Sequence, residues 1–368
     1  MIPYGKQDIS AEDIAAVVEV LKSDFITQGP QVPKFEDVLK NYVDAKYGVA
    51  MNSATSALHI ACLALGVGPG DEVWTSPNSF VASANCALMC GAKVDFVDID
   101  ANTYNISPDA LEEKLKRGRV PKVLIPVHFA GQSCEMERIR QLSKEYGFKI
   151  IEDASHAIGG AYKNKKIGSC EYSDICVFSF HPVKIITTAE GGMAVTNDAA
   201  LAEKMARLRT HGIVKKEQWN YEQVELGYNY RMTDIQAALG ASQMRRLDKF
   251  IARRHEIAKR YDDAFVDLLQ TPFQHPDTHS AYHLYPIVLD EPKLRKEVYE
   301  KLREAGVGTQ VHYIPIHTQP YYMRLGFKKG DFLEAEAYYK ATLSLPMYYK
   351  LSDAEQDSVI AKLKEILA

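Results

Sequence analysis

The chain has 368 residues, 44 basic side chains against 48 acidic, a net charge of −4 and 46% hydrophobic residues. At about 150 residues per domain, two domains are expected, each able to bury a core. The slightly acidic balance without basic runs argues against a nucleic-acid partner, and neither a signal peptide in MIPYGKQDIS nor an apolar run long enough to span a membrane is present.

The six cysteines, Cys62, Cys86, Cys90, Cys134, Cys170 and Cys176, form neither CxxC pairs nor a disulfide-like grid, so they read as reduced, buried thiols in the cytoplasm. Cys86 and Cys90 lie four apart on a predicted helix without a histidine or a second pair nearby, and no metal site is expected.

Ser10 reads as the N-cap of a helix over AEDIAAVVEVLKS, whose apolar residues recur at helical spacing. YGVAMN is a predicted strand and SATSALHIACLALG the helix after it. DEVWTS is a strand, NSFVASANCALMCG a helix and AKVDFVDI a strand. VPKVLIPVHF and FKIIEDAS are further strands, with the charged helix MERIRQLSKEYG between them, and DICVFSF follows. This alternation predicts an α/β fold with a largely parallel sheet and helices on both faces. One long helical pattern, TDIQAALGASQMRRLDKFIARRHEIAKRYDDAF, starts at residue 233, and TPFQHPDTHS reads as a linker. AYHLYPIVLD, KLRKEVYEKLREAG and VGTQVHYIPI then predict strand, helix and strand, a small α+β unit rich in tyrosine. The domains are drawn over residues 1–245 and 246–368.

In an open α/β sheet, ligands bind beyond the carboxyl ends of the strands. Ser53, Ala54 and Thr55 sit where a strand turns into a helix, and free amides there favour an anion; an ordinary N-cap is the plainer reading. Asp153 and His156 close the strand FKIIEDAS, and Ser179 ends the next. A carboxylate at such a place either caps the turn or pairs with a protonated ring nitrogen. Lys184, between Pro182, Val183 and Ile185, Ile186, has apolar neighbours that disfavour its ammonium form, and a neutral amine condenses with an aldehyde. Phe80 offers either an aromatic face or core packing. An anion cradle, an acid for a ring nitrogen and an aldehyde-capturing lysine are the needs of pyridoxal 5′-phosphate. The glycine fingerprint of dinucleotide binding is absent, which weakens a nicotinamide enzyme.

FITQGPQVPKFE, NSATSALHIA, SPNSFVASANC, EDASHAIGG, FSFHPVKIITTAEGG, LGYNYRMTDIQAALG and VHYIPIH, in that order over nearly the whole length, resemble the DegT/StrS family of nucleotide-sugar aminotransferases. The resemblance implies the aspartate aminotransferase-like fold of type I pyridoxal-phosphate enzymes, with a large cofactor domain and a smaller C-terminal α+β domain. It implies Lys184 as the Schiff-base lysine, Asp153 as the partner of the pyridine nitrogen, and Phe80 as the stacking ring. Ser53, Ala54, Thr55 and Ser179 would hold the phosphate, with His156 near the cofactor oxygen. Asn229 would reach the cofactor phosphate of a neighbouring subunit, which implies a homodimer with shared active sites. Tyr4, Gln28, Tyr313 and His317 match segments that line the sugar-nucleotide site, as packing or as contacts; Arg231, Lys215 and Lys216 are candidates for the substrate's diphosphate, Lys215 and Lys216 being otherwise a charged surface loop. KIITTAEGG most resembles the pseudaminic-acid branch, which aminates the 4-keto carbon of a UDP-linked 2-acetamido-2,6-dideoxy-hexos-4-ulose. L-Glutamate would be the donor and pyridoxamine phosphate the intermediate cofactor form. Relatives with histidine at the lysine position act as dehydratases, so Lys184 favours the aminotransferase branch over that one. A same-family aminotransferase acting on a different UDP- or dTDP-linked keto sugar, a non-catalytic regulator, an amino-acid aminotransferase and a cysteine desulfurase are the other readings; the last needs an exposed thiol that neither Cys170 nor Cys176 supplies.

Overall fold

The computed structural model describes residues 1–217 and 219–368. Its main sheet contains Tyr47–Met51 (β1), Glu72–Thr75 (β2), Lys93–Phe96 (β3), Val123–Ile125 (β4), Lys149–Asp153 (β5), Ile175–Ser179 (β6) and Gly192–Thr196 (β7). The spatial order is β1-β7-β6-β5-β4-β2-β3. From β3 to β6 neighbouring strands run parallel. β7 is antiparallel to both β6 and β1. Residues 180–191 between β6 and β7 form no helix, so the chain doubles back instead of crossing over, and the returning strand must run antiparallel. This return loop carries Lys184.

Strand periodicity sorts side chains to two faces. Ile175 and Val177 of β6 join a core with Ala57, Ala61 and Cys86, from helices Ala54–Ala64 and Ala82–Met89. Cys176 and Phe178 point the other way, into a core with Phe35, Leu39 and Ala237 from helices Gln31–Val43 and Asp234–Met244. Because both faces are covered, β6 and β7 are buried at every position, which their unbroken apolar sequences ICVF and MAV reflect. All six cysteines are free and buried.

Ser10 caps helix Ala11–Leu21 as predicted: its Oγ accepts from Asp13 N at 3.3 Å, and the Asp13 carboxylate accepts from Ser10 N at 2.9 Å. The long helical pattern from residue 233 is two helices, Asp234–Met244 and Leu247–Phe265. The break falls at Arg246, which leaves the helical range (φ −110°, ψ 1°) and donates to Asp8 and Asp13 of the N-terminal segment. Leu247 and Phe250 pack in the core under the main sheet, whereas Ile257, Tyr261 and Phe265 of the same helix pack in a separate core with Tyr285, Leu343 and Val359.

In that second unit Tyr285–Val288 (β8) pairs antiparallel with Thr342–Leu345 (β9), beside helices Arg295–Glu304 and Asp353–Leu367. The expected strand VGTQVHYIPI is not one: it makes isolated bridges, Val307 with Ile2 and Gln310 with Ser344. The true partner, TLSL, is four residues long and follows directly on helix Leu333–Ala341, so its short run is hidden in a helical pattern.

Candidate active site

The carboxyl ends of β5 and β6, the Lys184 loop and the start of helix Ala54–Ala64 surround a cleft of about 460 Å³. Tyr4, His283, His312 and Tyr313 close it from the second unit.

Ser53 caps the helix, accepting from Ser56 N at 3.1 Å. The amides of Ala54 and Thr55 have no acceptor among the described residues, so the positive end of the helix dipole opens onto the cleft. A Cβ on Gly192 would stand 2.4 Å from Ala54 N; only a glycine lets β7 pass so close to the helix start. Ser179 pairs with Gly192 across β6 and β7, on the same rim.

Asp153 ends β5 and is buried. Ser83 Oγ donates to its Oδ2 at 2.7 Å, and Ser155 N to its Oδ1 at 3.1 Å. Lys184 lies half-buried in the same cleft, its Nζ without a hydrogen-bond or ion-pair partner among the described residues. Desolvation pulls its amine down to about 8, although the Asp153 carboxylate acts in the other direction. At pH 7 roughly a tenth of such an amine is neutral, against about one in three thousand for an ordinary lysine.

Three buried histidines line the remaining wall, and a fourth, His181, stands exposed at the rim. His156 Nε2 lies 3.0 Å from Tyr313 Oη, its ring 4.5 Å from that of His283. Burial, then the Lys184 charge, keep both imidazoles neutral. His312 is pulled down to about 3 by the same two causes, and its Nδ1 lies 2.8 Å from Ser344 Oγ. Burial holds the Tyr313 hydroxyl protonated.

The cleft thus gathers Lys184, Ser53, Ala54, Thr55, Phe80, Asp153, His156, Ser179, Tyr4 and Tyr313. Phe80 stands at the mouth, 60% exposed, 6.5 Å from the Tyr313 ring. Four expected site residues lie elsewhere. Asn229 and Arg231 belong to a segment bridged to Thr210 and Met51. Gln28 has a left-handed backbone (φ 55°) in the turn before helix Gln31–Val43, where Gly29 and Gln31 amides donate to Asp234. His317 is fully buried outside the cleft, 2.9 Å from Glu336 Oε1, because the segment that carries it tucks beneath helix Leu333–Ala341. Lys215 and Lys216 sit on an exposed hairpin, with Lys216 3.4 Å from Glu222. Ser83, Ser155, Glu190, His283 and His312 join the cleft without an assigned role; the first three and His312 lie within the quoted motifs SPNSFVASANC, EDASHAIGG, FSFHPVKIITTAEGG and VHYIPIH, and His283 carries no local signal.

These residues fit the cofactor expected from the sequence. His156 Nδ1 is a sealed polar atom without a partner, the amides of Ala54 and Thr55 await an anion, and Lys184 has a usable neutral form. The fold is that of a pyridoxal 5′-phosphate enzyme.

A model of the DegT/DnrJ/EryC1/StrS aminotransferase family matches residues 7–364, and the chain belongs to that family. It is a pyridoxal-phosphate-dependent aminotransferase. It is 43% identical to the spore coat polysaccharide biosynthesis protein SpsC of Bacillus subtilis, covering 100% of this chain and 97% of that protein. Identity is 42% to the UDP-4-amino-4,6-dideoxy-N-acetyl-beta-L-altrosamine transaminase of Campylobacter jejuni, covering 100% and 98%. Among solved structures it resembles Helicobacter pylori PseC, an aminotransferase involved in the biosynthesis of pseudoaminic acid (TM-score 0.94, 36% identity, 100% and 99% covered). No helix among the described residues is long and apolar enough to cross a membrane, and no group of three or more metal-ligating side chains is present among them.

Proposed function

We propose that this aminotransferase acts on a nucleotide-linked sugar, moving the amino group of L-glutamate to the 4-keto carbon of a UDP-linked 2-acetamido-2,6-dideoxy-hexos-4-ulose for pseudaminic acid-type glycans. The observation that carries the reading is Lys184, an unpaired amine pulled down to about 8 in the same cleft as Asp153. Likeness to the Campylobacter and Helicobacter enzymes supports the choice of sugar.

Bound pyridoxal phosphate supplies an aldehyde that takes up amino groups and a ring that accepts an electron pair. Ala54 and Thr55 amides, with the Ser53 and Ser179 hydroxyls, hold its phosphate. Asp153, positioned by Ser83 and Ser155, keeps a proton on the ring nitrogen. His156 stands near the ring oxygen, and Phe80 covers the ring from the mouth. Lys184 takes the proton from the donor's α-carbon and delivers one to C4 of the sugar. Glutamate leaves as 2-oxoglutarate, and through water the ketone oxygen replaces the amino group it lost.

The working form is a cytoplasmic homodimer. Asn229, Arg231 and Gln28, which do not line their own cleft, serve the site of a second copy. Exposed apolar side chains beside them, Phe25, Ile26, Tyr221 and Leu226, support such an interface.

The test is incubation of purified protein with cofactor, L-glutamate and a panel of UDP- and dTDP-linked 4-keto sugars. One amino sugar per 2-oxoglutarate is expected, with parallel initial-rate lines and borohydride fixing a covalent adduct onto Lys184. Intersecting lines, an adduct elsewhere, or turnover of dTDP sugars alone would overturn the assignment.

A further inference from the structure

We propose that His312 holds a carboxylate of the amino-acid donor, acting as a neutral hydrogen-bond donor where a cation would be the ordinary choice. This rests on the two-substrate reading given above.

Lys184 is the sole lysine or arginine among the described residues lining the cleft, and Asp153 and Glu190 are the carboxylates there. An incoming dicarboxylate therefore finds no counter-ion in the chain's own wall except the amine that must lose its charge to react. The wall can offer only N–H and O–H groups. His156 Nε2 is already engaged with Tyr313 Oη, and His156 Nδ1 is sealed from solvent. His283 has no partner that fixes the position of its proton, and its Nδ1 is also sealed.

His181, the fourth histidine of the lining, stands exposed at the rim, its Nδ1 accepting from Val183 N at 3.5 Å. His312 differs from all three. Its Nδ1 lies 2.8 Å from Ser344 Oγ, and Ser344 is fully buried on β9. Ser344 Oγ has no other partner among the described residues. If the imidazole donated this bond, the serine proton would be left buried without an acceptor, which is unfavourable. The hydroxyl therefore donates to Nδ1, and the ring proton sits on Nε2. Nε2 has no hydrogen-bond partner and is not among the sealed atoms, so it opens onto the cleft that His312 lines. The ring is further steadied by Tyr4, 5.6 Å away. Burial and the Lys184 charge keep the imidazole uncharged before substrate arrives.

A neutral donor suits a site that receives two unlike substrates in turn. An arginine buried in the chain's own wall and matched to a carboxylate would stand uncompensated whenever a sugar hydroxyl replaced that carboxylate. An imidazole N–H donates to either oxygen without that penalty.

Glutarate, a dicarboxylate without an amino group, binds but cannot react, and is the probe. Its Kd for the cofactor-loaded enzyme is measured by calorimetry for wild type, His312→Phe, His312→Gln and Ser344→Ala. His312→Phe should weaken binding about tenfold or more, since the lost bond is to a charged group. His312→Gln, which keeps an N–H donor, should restore most of it. Ser344→Ala, which retains the imidazole but frees its proton, should weaken binding about threefold, and it carries the test if His312→Phe does not fold. Equal glutarate affinity in wild type and the variants overturns the proposal and points to a cation from a second copy; no binding to wild type overturns it as well. Loss of the borohydride adduct on Lys184 in wild type would instead sink the underlying functional reading, so the two failures are distinguishable.

Discussion

Replacing Lys184 with methionine removes the ammonium and keeps the length and apolar stem of the side chain. The amine is pulled from its usual 10.5 to about 8 by desolvation, net of the attraction of Asp153. At about 1.4 kcal/mol per pH unit, keeping it charged destabilises the cofactor-free fold by about 3 kcal/mol, and access of water through the cleft lowers that toward about 1 kcal/mol. Its pH dependence follows from the depressed pKa. Below about pH 8 both folded and unfolded chains carry the proton, so the penalty is present in full. Between about 8 and 10.5 the unfolded chain binds more protons than the folded one, and wild-type stability rises with pH. The methionine variant should therefore melt higher than cofactor-free wild type at pH 7, and the difference should shrink at pH 9.5. For 368 residues the unfolding entropy is about 0.8 kcal/mol/K, so the gain is at most about 4 °C. Differential scanning fluorimetry at the two pH values measures it. A variant no more stable at pH 7, or a gain that persists unchanged at pH 9.5, would refute the claim that Lys184 is a strained, desolvated amine.

Asp153→Asn keeps the shape of the site, since the Ser83 hydroxyl can turn to accept from the new amide, but it removes the charge that holds a proton on the cofactor ring. Amino transfer from L-glutamate in a single turnover should slow by about a hundredfold or more, with Tm little changed. Gly192→Ala puts a methyl 2.4 Å from Ala54 N; displacing the helix start should destabilise the protein by about 1–3 kcal/mol and weaken cofactor binding, read by equilibrium dialysis.

Much of the site was legible because it lies at strand ends. Asp153 and Ser179 close apolar runs whose limits are visible locally, and Lys184 is conspicuous among its apolar neighbours. The core helices were legible where small residues repeat at helical spacing, as in Ala54–Ala64. The break at Arg246 was not, because it depends on carboxylates more than 200 positions away, Asp8 and Asp13. Nor was β9, whose four residues acquire strand character only by pairing with β8.

The sequence by itself determined the layered α/β plan and made Lys184 and Asp153 visible as candidates, since periodicity and local polarity are properties of neighbouring residues. Tertiary structure alone decided that β7 returns antiparallel, that His317 is sealed against Glu336, and that His283 and His312 face Lys184. Each of these depends on contacts between segments far apart in the chain, and the burial that keeps those imidazoles neutral exists only once the second unit has closed over the cleft.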